Sequence, residues 1–379
     1  MKKFFYIIAV SLLVMLVNSC SEKNAEEAIG SLTIKIDKQI VQADSDDFVK
    51  VEVYDDADNL ITDGITFYDK KGRELDLSDG KFRPQTAGVY EFFAFYAGSW
   101  SETVSVRAID FPVPSLPKDS ELPENSAFAK KVLAIQFTST GCVNCPDMKK
   151  VIKKATEDQV FSDKIIAVSS HHDMSGYQYG DDPAGYPGND DFMNALGVSS
   201  YPTLVLNLAS LFYINQNEVL EASTERLKNM VNSIYGNGLS VAGVAVNSNA
   251  SDNGLVARVL VKTVLDSDNP IRISACLIED GIYGPQSNAP SNDPEWSTHN
   301  NCIRMLDCNK KAGYAGYSLG RMRGGESKEY TFVFDNSSNL VNMDNCKLLF
   351  YITCNGSMQN AVLVPIGQEV GFDYVSTID

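Results

Sequence analysis

The chain has 379 residues, 49 acidic against 32 basic side chains, a formal net charge of −17 and 44% apolar residues. That length accommodates two or three domains with ordinary globular cores. The acidic balance, with no basic patch in any segment, argues against nucleic acid and anionic membrane surfaces as partners.

The N-terminus reads as a targeting segment and leaves the fold argument. Lys2 and Lys3 precede an apolar run from Phe4 to Val17 that is too short to span a bilayer. Val17, Asn18, Ser19 and Cys20 follow, and this string resembles a bacterial lipobox, whose cysteine is acylated and becomes the new N-terminus. The resemblance implies a signal peptide over 1–19, lipidation of Cys20, a polar tether over 20–30 and attachment to a membrane through that lipid. Ser21 is not the Asp that commonly retains such proteins at the inner membrane, so an outer-membrane, cell-surface location is expected. Disulfides persist in that compartment. With Cys20 acylated, Cys142, Cys145, Cys276, Cys302, Cys308, Cys346 and Cys354 are odd in number, so one thiol at least is free or paired between chains.

Residues 31–110 read as all-β. Leu32, Ile34 and Ile36 alternate with polar residues, as do Val49, Val51 and Val53, and Asp55 to Asn59 form a hairpin tip. Several short strands at close spacing suggest an immunoglobulin-like sandwich, and Ala87-Gly88-Val89-Tyr90 resembles a turn of bacterial immunoglobulin-like modules. Asp55, Asp56 and Asp58 lack the glycine and distal glutamate of a calcium loop, which favours a solvated hairpin. Pro112, Pro114, Pro117 and Pro123 mark residues 111–127 as a semi-rigid linker.

Residues 128–235 hold the chemistry. Val132 to Phe137 is a near-continuous apolar run, read as a strand buried on both faces. Cys142 and Cys145 follow at Cys-x-x-Cys spacing, and Pro146 stands where a first helical turn tolerates proline. Met148, Val151, Ile152 and Ala155 recur at helical spacing. A thiol at a helix N-terminus feels unpaired N–H groups that favour the thiolate, the attacking species in disulfide exchange. Cys142 is expected to attack and Cys145 to resolve. Zinc would need a second ligand pair, and there is no second Cys-x-x-Cys, so strand, pair and helix favour redox chemistry.

Lys164 to Ser169 reads as a second strand, parallel to the first, which places the loop His171 to Asp191 over the cysteines. A short helix over 191–196, Tyr201-Pro202, a strand from Leu204 to Leu208 and an amphipathic helix from Val219 to Tyr235 complete the segment. This order resembles the thioredoxin fold. The resemblance implies that Pro202 is cis and packs on the cysteine pair, and that Tyr201 and Gly141 border the substrate peptide. It departs from the pattern at Gln136, where thioredoxins carry a buried acid, and at Gly141, where they carry tryptophan.

His171 and His172 admit three readings: ordinary loop residues, tuners of the Cys142 thiol, or part of a His/His/Cys metal set. Tyr177, Tyr179 and Tyr186 read as rim packing or a peptide platform.

Residues 236–379 are again β-rich, with strands expected over 255–265, 271–278, 329–334, 346–353 and 361–366, and suggest a second β-sandwich. Cys346 and Cys354 on one strand would lie roughly 26 Å apart, beyond disulfide reach. Cys276 with one of them, or Cys302 with Cys308 around a turn, remains open. Glu279-Asp280-Gly281, Gln286, His299-Asn300 and Arg304, behind a lipobox and a thioredoxin-like segment, resemble the outer membrane protein 28-related family of bacterial surface lipoproteins, over about residues 128–370. Asn301 stands where that pattern usually has a second histidine, and Glu279, Asp280, His299 and Arg304 also suit a purely structural knitting of a long loop.

The expected architecture is multidomain, α/β plus all-β: an N-terminal immunoglobulin-like sandwich, a central thioredoxin-like domain and a C-terminal β-sandwich. The first functional reading is thiol–disulfide exchange on extracytoplasmic proteins by Cys142 and Cys145, with Tyr201 and Pro202 orienting the peptide. The alternative is a non-catalytic surface binding or adhesion protein whose Cys142–Cys145 bridge is structural. Neither reading calls for a cofactor or a metal.

Overall fold

The computed structural model describes residues 31–172, 181–290 and 293–378. The signal peptide, the tether, Cys20, Asp173, Tyr177 and Tyr179 lie outside the described residues. The chain is mostly β and falls into two compact units, one running to Gln39 and including Phe48–Arg83 and Gly88–Arg107, the other comprising Ile40–Asp47, Pro84–Ala87 and Ala108–Asp379.

In the first unit, alternation makes the strands. Val49, Val51 and Val53 point one way along Val49–Tyr54 and are buried, while Lys50 and Glu52 point out and pair with each other. This strand pairs antiparallel with Thr33–Ile36, Leu60–Ile61 and Lys81–Phe82. A second sheet includes Thr66–Asp69, Glu74–Leu75 and Gly88–Tyr96. The two sheets meet through aromatic rings, with Phe82 of the first 5.3 Å from Phe92 of the second. The hairpin tip is closed by Asp55, whose carboxylate accepts from the Ala57 and Asn59 N–H groups and the Asn59 amide.

In the second unit the apolar run becomes strand β1 (Val132–Thr138), buried along its whole length. Helix α1 (Cys145–Thr156) leads over to β2 (Ile165–His171), which pairs with β1 in parallel from Val132–Ile165 to Thr138–His171. Helix α2 (Asn189–Ala195) precedes β3 (Thr203–Leu206), antiparallel to β1 on its other side, and α3 (Leu220–Tyr235) closes the segment. A strand buried on both faces has two sets of neighbours. Val132 and Ala134 pack with Met148 and Val151 of α1 and Leu227 and Val231 of α3. Leu133, Ile135 and Phe137 face the opposite way.

There they meet Tyr186 and Phe192 and, in addition, residues from beyond residue 235. The rest of the unit contributes β4 (Ala242–Ser251), β5 (Gly254–Thr263), β6 (Ile271–Glu279), β7 (Cys302–Asp307), β8 (Ser327–Asp335), β9 (Cys346–Cys354) and β10 (Ser357–Pro365). Strand β2 pairs in parallel with β7 at Ser169–Cys302, and the same sheet continues through β6, β9 and β10. Ile278, Leu349 and Tyr351 share one core cluster with Leu133, Ile135 and Phe137. The alternate residues of β6 and β9, Ile271, Ile273, Leu277, Leu348, Phe350 and Ile352, bury the other face against the sheet of β4, β5 and β8. The segments expected on either side of residue 235 therefore share one sheet.

The proline-rich stretch is laid along this unit. Prolines leave backbone carbonyls without local partners, and side chains of β4 and β5 take them up: Asn249 donates to the Pro112 carbonyl, Asn247 to that of Ser115 and Lys262 to that of Ser120. Its end forms the strand Ser126–Ala129, paired with Leu239–Ser240 and Tyr374–Ser376.

Cys276, Cys302, Cys308, Cys346 and Cys354 all carry free thiols, so neither disulfide left open by the sequence forms. Cys302 and Cys308 bracket extended strand β7 rather than a turn, which holds them roughly 20 Å apart. Cys276 stands opposite Leu349, midway along β9, whereas Cys346 and Cys354 stand opposite Glu279 and Ile271.

Candidate functional site

The site starts where β1 ends. After Thr138 the chain makes a tight loop in which the Cys142 N–H donates to the Ser139 carbonyl and Gly141 N–H to the Ser139 hydroxyl. Cys142 and Cys145 are joined by a disulfide with a Cα–Cα separation of 5.4 Å, and α1 begins at Cys145. Asn144 stands at the N-cap without donating or accepting a side-chain cap bond, and Pro146 follows in the first turn. Cys142 is the more exposed of the pair at 7%, against 1% for Cys145, while Val143 and Asn144 between them reach solvent.

A loop from much later in the sequence holds this turn down. The Gln286 amide, itself buried, donates to the carbonyls of Ser139, Thr140 and Cys142 at 3.0–3.1 Å. Ser287 N–H donates to the Thr140 carbonyl and the Asn288 amide to that of Val143. Gly284 allows the approach, since a Cβ there would come within 2.6 Å of the Pro183 ring. Its carbonyl lies 2.8 Å from His299 Nε2. From the other side, Thr140 N–H donates to the Asp182 carboxylate at 2.7 Å.

Asp182 is the hub of a buried polar cluster. It also accepts from Ala184 N–H and lies 3.0 Å from His171 Nδ1, with both side chains at most 3% exposed. Burial alone would raise the carboxyl pKa, but the His171 imidazole and the two backbone donors overcome it and hold the group at about 2. Burial likewise works against a charged His171, yet the Cys302 sulfur and the Asp182 carboxylate push it up to about 10. The Cys302 sulfur lies nearby, where it accepts from the Ser169 hydroxyl at 3.5 Å and donates to the Asn300 carbonyl at 3.7 Å. His299 packs edge-on with its ring centre 5.0 Å from that of His171, and burial followed by the His171 charge lowers it to about 4. A cleft of about 530 Å³ opens onto this cluster, lined among others by Cys145, Lys149, His171, Gln286 and His299.

Consecutive residues at a strand end point to opposite sides, and this separates the two histidines. His171 turns into the buried cluster and shares the cleft with Cys145. His172 turns the other way, to Asp190 at 3.0 Å, with its ring 5.9 Å from Tyr201. Among the described residues, no group of three His, Cys, Asp or Glu side chains is placed to hold a metal ion. The Tyr201–Pro202 peptide is cis. Register pairs Phe137 with Thr203, so Pro202 arrives at the sheet edge from which the chain departs toward Cys142. Tyr201 is half-buried, its hydroxyl accepting from the Asn189 amide. Tyr186 is a core residue beside Phe137 and Phe192, not a rim residue, because its backbone is tied to His171 at the end of β2.

Sequence reasoning missed Asp182 as the buried acid beside His171 and Gln286 as the clamp. Asp182 sits in a polar loop beside Asp181, and nothing local marks which of the two turns inward. Arg304 knits the same region, pairing with Glu279 at 3.0 Å and donating to the Pro183 and Leu340 carbonyls.

No family model and no curated protein matches the chain. Among solved structures, HBP35 of Porphyromonas gingivalis is 18% identical with a TM-score of 0.48, over 63% of this chain and 76% of that one. A protein of Agrobacterium tumefaciens is 17% identical with a TM-score of 0.40, over 64% of this chain and 97% of its own. A domain of the outer membrane lipoprotein Omp28 from Porphyromonas gingivalis is 10% identical with a TM-score of 0.21, over 34% of this chain and 89% of that domain. The family expected from the sequence is thus represented among the structural neighbours at low identity and partial coverage.

Proposed function

We propose that this chain is a lipid-anchored extracytoplasmic protein whose thioredoxin-like segment exchanges disulfides with other proteins through Cys142 and Cys145. The observation that carries this reading is the disulfide itself, seated at the first turn of α1 at the C-terminal edge of a parallel β-α-β unit. Its unpaired helix N–H groups favour whichever sulfur leaves as thiolate. In the exchange that oxidises a substrate, a substrate thiolate attacks Cys142 Sγ, the bond to Cys145 breaks and Cys145 keeps the electron pair, and a second substrate thiolate then displaces Cys142 to leave the substrate disulfide; the reverse sequence reduces a substrate disulfide. Gly141 leaves the approach to Cys142 without a side chain, and Tyr201 and Pro202 border it. His171, in the same cleft as Cys145, is the group placed to exchange protons there, since Gln136 cannot. Cys20 supplies the membrane attachment, with the outer-membrane surface as its place.

A second reading is favoured by one specific observation: Gln286 pins three carbonyls of the cysteine loop, and both cysteines are buried. On that reading the bridge is static and the protein binds a surface partner through its β-rich parts. Trapping separates the two. Cys145→Ser leaves Cys142 unable to be resolved, so it is expected to accumulate mixed disulfides with protein substrates, visible on non-reducing gels and lost on reduction. Absence of any such adduct, together with a reduction potential below about −300 mV for the Cys142–Cys145 couple, would establish a structural bridge instead.

A further inference from the structure

Strand β2 is paired along the whole of one edge and open along part of the other. The Lys164 carbonyl accepts from Val132 N–H, and His172 N–H donates to the Thr138 carbonyl, so the even-numbered residues of this stretch turn their backbone groups toward β1. The odd-numbered residues turn theirs away. Ser169 meets β7 on that side, its N–H donating to the Asn301 carbonyl, and the register between the two strands holds only Ser169–Cys302. Before that point Ile165 and Ala167 present N–H and C=O groups outward, and among the described residues nothing bonds to them. Residues 165 to 169 all line the cleft of about 530 Å³, together with Lys149, Ile152 and Lys153 of α1 and with Asn301 and Leu363. Two lysines and two histidines line this cleft and no carboxylate does, in a chain of net charge −17. The acids beside it are engaged: Glu295 pairs with Lys153 at 2.9 Å and Asp182 with His171 at 3.0 Å. Lys149 donates to the Glu295 backbone carbonyl and, among the described residues, has no carboxylate partner.

We propose that the open edge of β2 is a strand-addition site for an extended acidic peptide segment of another protein, independent of the exchange assigned to Cys142 and Cys145. The form of the partner follows from the backbone. Ile165 and Ala167 each offer one donor and one acceptor on the same edge, spaced two residues apart, and only an extended chain carries matching groups at that spacing. The open stretch from Ile165 to Val168 runs about 10 Å, so it pairs with a segment of three or four residues. The sign of the partner follows from the walls: Lys149 and Lys153 flank the edge, and a carboxylate side chain on the added strand meets Lys149 without displacing an existing ion pair. The edge is also recessed. Lying at the floor of a cleft beside α1, it is closed to the flat edge of another sheet and open to a single chain, which is how an unpaired edge is kept from indiscriminate pairing.

The test uses the intact chain with its disulfide formed and a capped, fluorescein-labelled peptide of sequence Thr-Val-Glu-Val-Glu-Val-Thr, read by fluorescence anisotropy. Saturable binding is expected, weakened about fivefold when lysine replaces both glutamates and about fivefold in Lys149→Glu. Two versions of the peptide, N-methylated at one or the other set of alternate residues, separate backbone pairing from apolar adhesion: the set that faces β2 is expected to lose about tenfold in affinity. Ala167→Pro removes an outward N–H that takes no part in the β1 ladder, and is expected to cause a similar loss. No saturable binding, equal binding of the lysine peptide, or undiminished binding of both methylated versions would each overturn the proposal. A dimer of the chain that the acidic peptide fails to dissociate would give the edge to a second copy and overturn it as well. If Ala167→Pro fails to fold, the methylated peptides on the wild-type chain decide. The probe has no cysteine, so its binding is read whether or not Cys142 exchanges, and adducts trapped by Cys145→Ser are read without it.

Discussion

Two single residues, Asp182 and Gln286, do most to define the site, and each carries a prediction. Asp182 has a depressed folded-state pKa, so its stabilisation is fully present above the ordinary carboxyl pKa near 4 and is lost as pH falls toward about 2. The window corresponds to about 2 kcal/mol. His171, held up at about 10, works in the opposite sense: its contribution is present below its ordinary value and is lost as pH rises through about 10. Denaturant titrations at pH 5, 3 and 2 are expected to show the acid loss in the wild type. Asp182→Asn is expected to cost about 3 kcal/mol at pH 7, because it strands a buried imidazole charge, and to flatten the acid limb. Gln286→Ala leaves the Ser139 carbonyl without the buried amide and frees the cysteine loop. It is expected to destabilise the chain by about 1–3 kcal/mol and to speed reduction of Cys142–Cys145 by a small phosphine, followed by thiol release.

At the scale of elements, β1 and α1 are the pieces the sequence announces most clearly. Met148, Val151 and Ala155, expected on one helix face, are buried by α1 along with Cys145 and Pro146, with Ile152 at the margin. The unbroken apolar run of β1 becomes a strand with two buried faces, and the parallel register with β2 follows from the crossover. Phe137 sits on the face shared with Phe192, 5.5 Å between ring centres. Phe137→Ala is expected to cost about 3–5 kcal/mol by calorimetry or denaturant unfolding, since the site is closed by strands on both sides and cannot collapse. Strand β4, by contrast, was not among the strands expected beyond residue 235. Its residues run Ala-Gly-Val-Ala-Val-Asn-Ser-Asn-Ala-Ser, eight of the ten small or polar, and its partner β5 supplies the bulk.

For the molecule as a whole, β1, β2 and β3 share one sheet with β6, β7, β9 and β10, and the sheet of β4, β5 and β8 packs on its β6 and β9. Leu133, Ile135 and Phe137 use Ile278, Leu349 and Tyr351 as their cover. A fragment spanning residues 128–235 is therefore expected to expose that face, to lack a cooperative unfolding transition and to aggregate, as scanning calorimetry and sedimentation of the purified fragment would show. Cys276 of β6 joins that core by this route, and Cys302 meets Ser169 because β7 pairs with β2.

What the amino-acid order determines by itself is local: alternation of Val49, Val51 and Val53, the period of α1, and the Cys142-x-x-Cys145 step between strand and helix. These depend on residues within one or two turns of each other, so they are readable before any contact is known. What only the tertiary structure decides is which distant groups complete the site. Asp182 and Gln286 reach the cysteine loop from 42 and 147 residues away, and Cys302 reaches Ser169 by strand pairing across residue 235, and no spacing rule connects them. A buried polar group must find its partner wherever the packed sheets bring one, and that choice belongs to the fold.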